Sequence, residues 1–235
     1  MTDPKMEILR KLRTSLGDLA VQSDFSEPEF RLFSDWPGLQ QRLFTRLSPY
    51  GLRLIDMRWD PGNGTVGDGN LMLNLPDLAA TVRIRLERIE IQYFDPTRID
   101  VQTAGKMVVD ILKVMEGDKS AAKFKTHSLR MNIHGILEDS TPRDFLSRYV
   151  SQIPENFGPK VGNAVAFYYG PEANRLTTSI TFDLSVRVKD GLYLGIQTVW
   201  DAQRISVEAF PAIAADHVTD VLTRCGLEFA RPGQS

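Results

Sequence analysis

Gly62, Gly64 and Gly67 fall in the spacing G-x-G-x-x-G within PGNGTVGDGN, residues 61–70. A loop of that spacing can cradle a pyrophosphate, because free backbone N–H groups at a helix N-terminus hold the anion. It needs a strand before it and a helix after it. LRLIDMRWD precedes the run and suits a strand, but NLMLNLPDL follows, with Leu71, Leu73 and Leu75 at the period-two spacing of another strand. The sequence therefore predicts a long hairpin loop whose glycines supply positive φ, and no cofactor. A Walker A reading fails because Asp68 stands where the phosphate-binding lysine belongs. Asp60, Asn63, Asp68 and Asn70 could ligate calcium, yet they match no EF-hand spacing and no bidentate glutamate follows. No metal is expected.

The other candidates read more simply. His127, His134 and His217 lack HxH or HExxH spacing. His134 falls in a strand near Glu138 and Asp139 and reads as a structural or surface histidine, while His217 reads as facing solvent on the last helix. Cys225, the sole cysteine, ends an apolar helix face and behaves as a small hydrophobe rather than a nucleophile. Asp95 with Arg98 and Asp201 with Arg204 repeat D-x-x-R, a turn held by an aspartate or a matched pair of ligand sites. Arg83, Arg85 and Arg88, with Arg187 and Lys189 further on, could line a basic strand face, but Glu87 and Glu90 dilute it. Nucleic acid is not expected as a partner. Asp56, Asp60 and Asp183 are the acids that an enzyme's cleft could gather. No catalytic, cofactor-binding or metal-binding residue is assigned.

The 235 residues are 42% hydrophobic and 25% charged, with a formal net charge of -2, so no global field advertises nucleic acid or an anionic membrane. A single cysteine excludes a disulfide framework and fits a reducing cytoplasm. No apolar run is long enough to span a membrane. At the N-terminus Ile8, Leu9, Leu12, Leu16 and Leu19 recur at helical spacing, so residues 1–24 are expected to form an amphipathic helix.

The elements that would position these residues recur. VRIRLERIEIQYFDPTRI (82–99) and VRVKDGLYLGIQTVWDAQRI (186–205) share a pattern, VVDILKV (108–114) matches VTDVLTR (218–224), and Pro37 and Pro142 open helical stretches of equal length. The expected fold is α+β: two related halves, 25–117 and 127–229, each with an antiparallel sheet of about four strands and helices on one face, an internal duplication joined by a connector at 118–126 and followed by a tail at 230–235. Helices are expected near 36–47, 103–115, 142–152 and 211–225. Phe25, Phe30, Phe33 and Trp36 form a possible docking cluster.

In the second half, EAFPAIAADHVTDVLTRCGLEFARP (208–232) resembles the last strand, Phe-Pro turn and long helix of the bacterial export chaperone SecB, through Phe210, Pro211, Val218, Val221, Leu222, Arg224 and Gly226. The first half has Thr103-Ala104 in place of the Phe-Pro pair. The resemblance implies a helix-backed four-stranded sheet present twice, binding of extended polypeptides along apolar grooves, and no catalytic residue. The expected role is a non-catalytic, chaperone-like or scaffold protein of the bacterial cytoplasm with a polypeptide partner, self-association being possible. An enzyme with its site between the halves and a subunit of a larger complex are the alternatives.

Overall fold

Where an amphipathic helix was expected over 1–24, residues 10–25 form a strand. The computed structural model describes residues 9–30, 34–60, 69–95, 101–116, 123–149 and 164–230. In it β1 (Arg10–Phe25) pairs antiparallel with β6 (Phe124–Leu137) along nearly its whole length, from Leu12 opposite Leu137 to Phe25 opposite Phe124. Its other edge takes β5 (Arg88–Tyr93) at Leu19–Asp24 and, in parallel, β10 (Leu227–Phe229) at Arg10–Leu12. The helical spacing of its leucines is outweighed by this pairing on both edges, and Thr14, Ser15, Gly17 and Val21 are weak helix formers. Past a bulge at Thr14/Leu16 the strand alternates from Val21 onward, with Val21, Ser23 and Phe25 buried and Gln22 and Asp24 more open; Ala20 is buried as well.

The remaining strands are β2 (Met57–Asp60), β3 (Asn70–Leu75), β4 (Ala80–Ile84), β7 (Val165–Tyr169), β8 (Arg175–Leu184) and β9 (Leu192–Asp201). All belong to one ten-stranded sheet in the order β2-β3-β4-β5-β1-β6-β9-β8-β7, with β10 on β1. Every pairing is antiparallel except that of β10. The mixed α+β class is as expected. The two expected sheets are instead one continuous surface, because β1 and β6 are hydrogen-bonded to each other. No cleft separates the two sides at that seam.

Four α-helices are found among the described residues: α1 (Trp36–Leu47), α2 (Val101–Glu116), α3 (Pro142–Ser147) and α4 (Phe210–Arg224). Asp35 caps α1 by accepting the Gly38 N–H, and Thr141 caps α3 by accepting that of Asp144. Gly226 closes α4 at φ +70°, the left-handed conformation a glycine reaches without strain. Leu39, Leu43 and Leu47 of α1 and Met107, Ile111 and Leu112 of α2 pack on Leu73, Val82, Ile91 and Tyr93. Phe145 of α3 and Val221 and Leu222 of α4 pack on Ile133, Phe182 and Leu194. All these strand residues share one parity, so the described helices cover one face of the sheet and leave the other without a helix.

The β4–β5 hairpin turns at Arg85–Arg88 and pairs Ile84 with Ile89 and Val82 with Ile91. Residues 204–209 form turns and bends before α4. Gly62, Gly64, Gly67, Asn63, Asp68, Arg98, Phe33, most of the connector and residues 231–235 of the tail lie outside the described residues.

Candidate functional site

The helix-free face is read from the register. One row of side chains crosses the sheet as Asn74, Thr81, Gln92, Ala20, Arg130, Gln197, Ser179 and Tyr168, each opposite the next. It contains no carboxylate. The neighbouring row runs Arg58, Met72, Arg83, Glu90, Gln22, Ser128 and Val199. Arg85 and Arg88 flank the β4–β5 turn on the same face, Arg88 opposite Asp24.

Arg58, Arg83, Arg85 and Arg88 thus gather on β2, β4 and β5, with no carboxylate within ion-pair distance of any of them among the described residues. Strand spacing puts Arg58 and Arg83 about 10 Å apart and Arg83 and Arg85 about 7 Å apart along β4. Like charges so close repel one another, and an arriving anion relieves that repulsion. Several arginines elsewhere are paired: Arg53 meets Asp56 at 2.7 Å, Arg224 meets Asp220 at 2.8 Å, and Arg42 meets Asp35 at 3.2 Å, whereas Arg13, Arg130, Arg143 and Arg187 form no ion pair among the described residues. An open groove of about 450 Å³ between α1 and α2, lined by Gln41, Arg42, Thr45, Arg46, Lys113 and Val114, looks basic. Its cations are already paired, Arg46 with Asp110 at 3.9 Å and Lys113 with Glu208 at 3.0 Å.

On the β6–β9 side the polar groups bond one another. Asn132 Nδ2 donates to Asp18 at 3.0 Å and Tyr193 Oη donates to Asn132 Oδ1 at 2.8 Å. Ser185 Oγ accepts the N–H groups of Arg187 and Val188, so its own proton goes to His134 Nδ1, 2.8 Å away. Arg187 and Lys189 sit in the β8–β9 turn, not on a strand face.

The histidines depart from expectation. His134 is buried against Ser185 and Tyr193 and takes neither Glu138 nor Asp139 as a partner. His217, expected in solvent, is buried on α4 beneath Trp200. Arg175 can only donate, so its 3.1 Å bond to Nδ1 leaves the His217 proton on Nε2, which donates to Thr198 at 2.9 Å; Thr198 passes a bond to Thr178 at 3.2 Å. Helix periodicity alone could not assign this face. His127 meets Ser23 at 2.8 Å and stacks on Phe210 with centroids 4.7 Å apart; burial pushes its pKa down to about 4. Burial also lowers the pKa of His134 and of His217, the latter helped by the charge of Arg175. All three rings are held neutral.

Burial pushes the Cys225 thiol up to about 11, so it is protonated and a poor nucleophile. Asp201 and Arg204 form a turn, with a 3.4 Å ion pair and the Gln203 N–H on Asp201 at 3.0 Å. Asp56, Asp60 and Asp183 do not converge: β2 and β8 stand near opposite ends of the sheet, and the Asp56 carboxyl is held low by Arg53. Asn70 donates to Asp60 at 3.3 Å across the β2–β3 pair. Among the described residues no three His, Cys, Asp or Glu side chains stand together as a metal site would require. No helix there is long and apolar enough to cross a membrane. Of the aromatic cluster, Phe25 is buried on Phe124, Trp36 packs edge-on against Trp59 at 4.8 Å, and Phe30 is exposed.

No known protein family matches the chain, and no curated protein matches it. Among solved structures it is similar to the rolling circle replication initiator protein of Geobacillus stearothermophilus, at 12% identity and a TM-score of 0.35, over 95% of this chain and 89% of that one. A score that low transfers neither fold nor activity. The structural neighbour is a replication initiator where an export chaperone was expected, and the SecB resemblance of 208–232 is corrected accordingly. The expected chaperone-like, protein-binding or scaffold role, the polypeptide partner and the exclusion of nucleic acid are corrected with it.

Proposed function

We propose that this protein binds nucleic acid on the helix-free face of its sheet. The observation that carries the reading is the set of arginines on β2, β4, β5 and the β4–β5 turn, Arg58 exposed and Arg83, Arg85 and Arg88 half-buried, with no carboxylate partner among the described residues. Guanidinium groups bind phosphate in a bidentate manner, and a surface that spends none of them on internal ion pairs has its full charge available. Fluorescence anisotropy of a labelled oligonucleotide tests this. Affinity should fall steeply between about 50 and 200 mM salt. The double substitution Arg83→Glu/Arg88→Glu should weaken binding by about tenfold or more and flatten the salt dependence. Salt-independent binding, or an unaltered double variant, rejects the reading.

Internal duplication and the division of the chain at 118–126 belong to the same proposal. In their support, once the additional β2 between α1 and β3 is set aside, β1-α1-β3-β4-β5-α2 and β6-α3-β7-β8-β9-α4 follow one order, and from the β1–β6 contact the strands run outward as β1, β5, β4, β3 and as β6, β9, β8, β7. β1 then belongs with the unit ending at 117, and β6 opens the unit ending at 229. Superposing one strand set on the other tests it: if α2 does not then fall on α4, the duplication is rejected. A cytoplasmic setting is proposed from the single cysteine, and recovery of the native protein outside the cytoplasm would overturn it.

A further inference from the structure

We infer that the nucleic acid bound is single-stranded, that it crosses the strands along the carboxylate-free row, and that Tyr168 stacks on one of its bases. The inference rests on the proposed function and narrows it. Tyr168 ends the row that contains Gln92, Arg130 and Gln197, and it is 81% exposed on edge strand β7. Its ring has no aromatic or cationic contact among the described residues. An exposed aromatic on a polar, hydrogen-bonding sheet face is what an unstacked base requires, and a base inside a duplex cannot offer its face.

The shape of the sheet points the same way. From β4, which holds Arg83, to β7 there are six strand-to-strand steps. At about 4.8 Å a step the path is about 29 Å long. At about 20–25° of twist a step, the surface turns through roughly 120–150° along it. A stiff duplex touches such a saddle at one corner only. A flexible single strand follows it, with Arg130 in the row near its midpoint, Gln92 and Gln197 beside the bases, and phosphates reaching Arg83 in the neighbouring row and Arg88 beside the β4–β5 turn. Ala20, between Gln92 and Arg130, leaves the row low at its centre.

The test compares a labelled single strand of about twelve nucleotides, as DNA and as RNA, with a duplex of the same length. The proteins are wild type, Tyr168→Ala, Tyr168→Phe and Arg83→Glu/Arg88→Glu, each checked for its circular-dichroism spectrum. We expect the single strand to bind about tenfold or more tighter than the duplex. Tyr168→Ala should lose about tenfold on the single strand alone, Tyr168→Phe should retain wild-type affinity, and the arginine variant should lose both ligands. Equal binding of duplex and single strand, or an unaffected Tyr168→Ala alongside a weakened arginine variant, overturns the single-strand inference and leaves the proposed function standing. If wild type binds neither ligand, both are overturned.

Discussion

The two sides of the sheet differ in the groups that can carry positive charge and in how deeply those groups are buried. On β2, β4 and β5, permanent cations stand on the open face with no ion-pair partner among the described residues. On the β6–β9 side Arg130 is one further cation on the open face, but the histidines are each buried, kept neutral and tied to a hydroxyl: His127 to Ser23, His134 to Ser185, His217 to Thr198. A satisfied polar group holds a structure together. An unsatisfied charge on a surface is available to something else.

Acidification should break this contrast with the largest effect. Burial holds His127 down to about 4 in the fold, against the ordinary histidine value of 6.5 in the unfolded chain. A depressed folded pKa means the unfolded chain binds more protons between these values, so stability falls as pH drops from 6.5 to 4 and levels off below. The shift of 2.5 units at 1.36 kcal/mol each corresponds to about 3 kcal/mol. Urea midpoints taken across that window should show the loss in wild type and a flatter curve in His127→Asn; parallel curves would reject it.

Next in size is His217→Ala, which strips Arg175 and Thr198 of a partner and opens space under Trp200. It should cost about 2–3 kcal/mol in urea unfolding while nucleic-acid affinity stays within about twofold. Arg58→Glu should do the reverse, weakening binding about fivefold with stability unchanged to within about 0.5 kcal/mol. A variant that moved both properties together would erase the distinction between the sides. The smallest effect expected is from Asp201→Ala, which loosens the turn before α4 by about 1 kcal/mol and leaves binding untouched.

How much of this was legible in the sequence depended on how local its cause was. α1 and β3 were readable because the Trp-Pro start and the Leu71/Leu73/Leu75 alternation are local signals. The strand character of 10–25 was not, since its partners lie as far away as Leu227 and leucine spacing alone favours a helix. His217 was misplaced because the face of α4 that is buried is chosen by Trp200 and Arg175, not by the helix itself. Arg83, Arg85 and Arg88 were visible as types, and Glu90 was rightly seen nearby. It sits opposite Arg83 in register without an ion pair between them, which only coordinates reveal. Arg58 and Tyr168 gave no signal at all, each being a single residue whose meaning comes from its row.

The position of β1 also governs how the chain must assemble. It is an early segment, yet its edges are closed by β5, by β6 and finally by β10 at 227–229. Each closure spans a loop of tens to hundreds of residues, whose entropy is lost before any contact compensates for it. During synthesis β1 leaves the ribosome with both edges bare and stays so until β5 and then β6 follow. Its stretch at Arg10–Leu12 waits for nearly all the rest. Slow folding and an exposed edge in the nascent protein are the consequence, and Lys11, Arg13 and Asp18 along that strand are the charges that keep such an edge from pairing with a neighbouring chain.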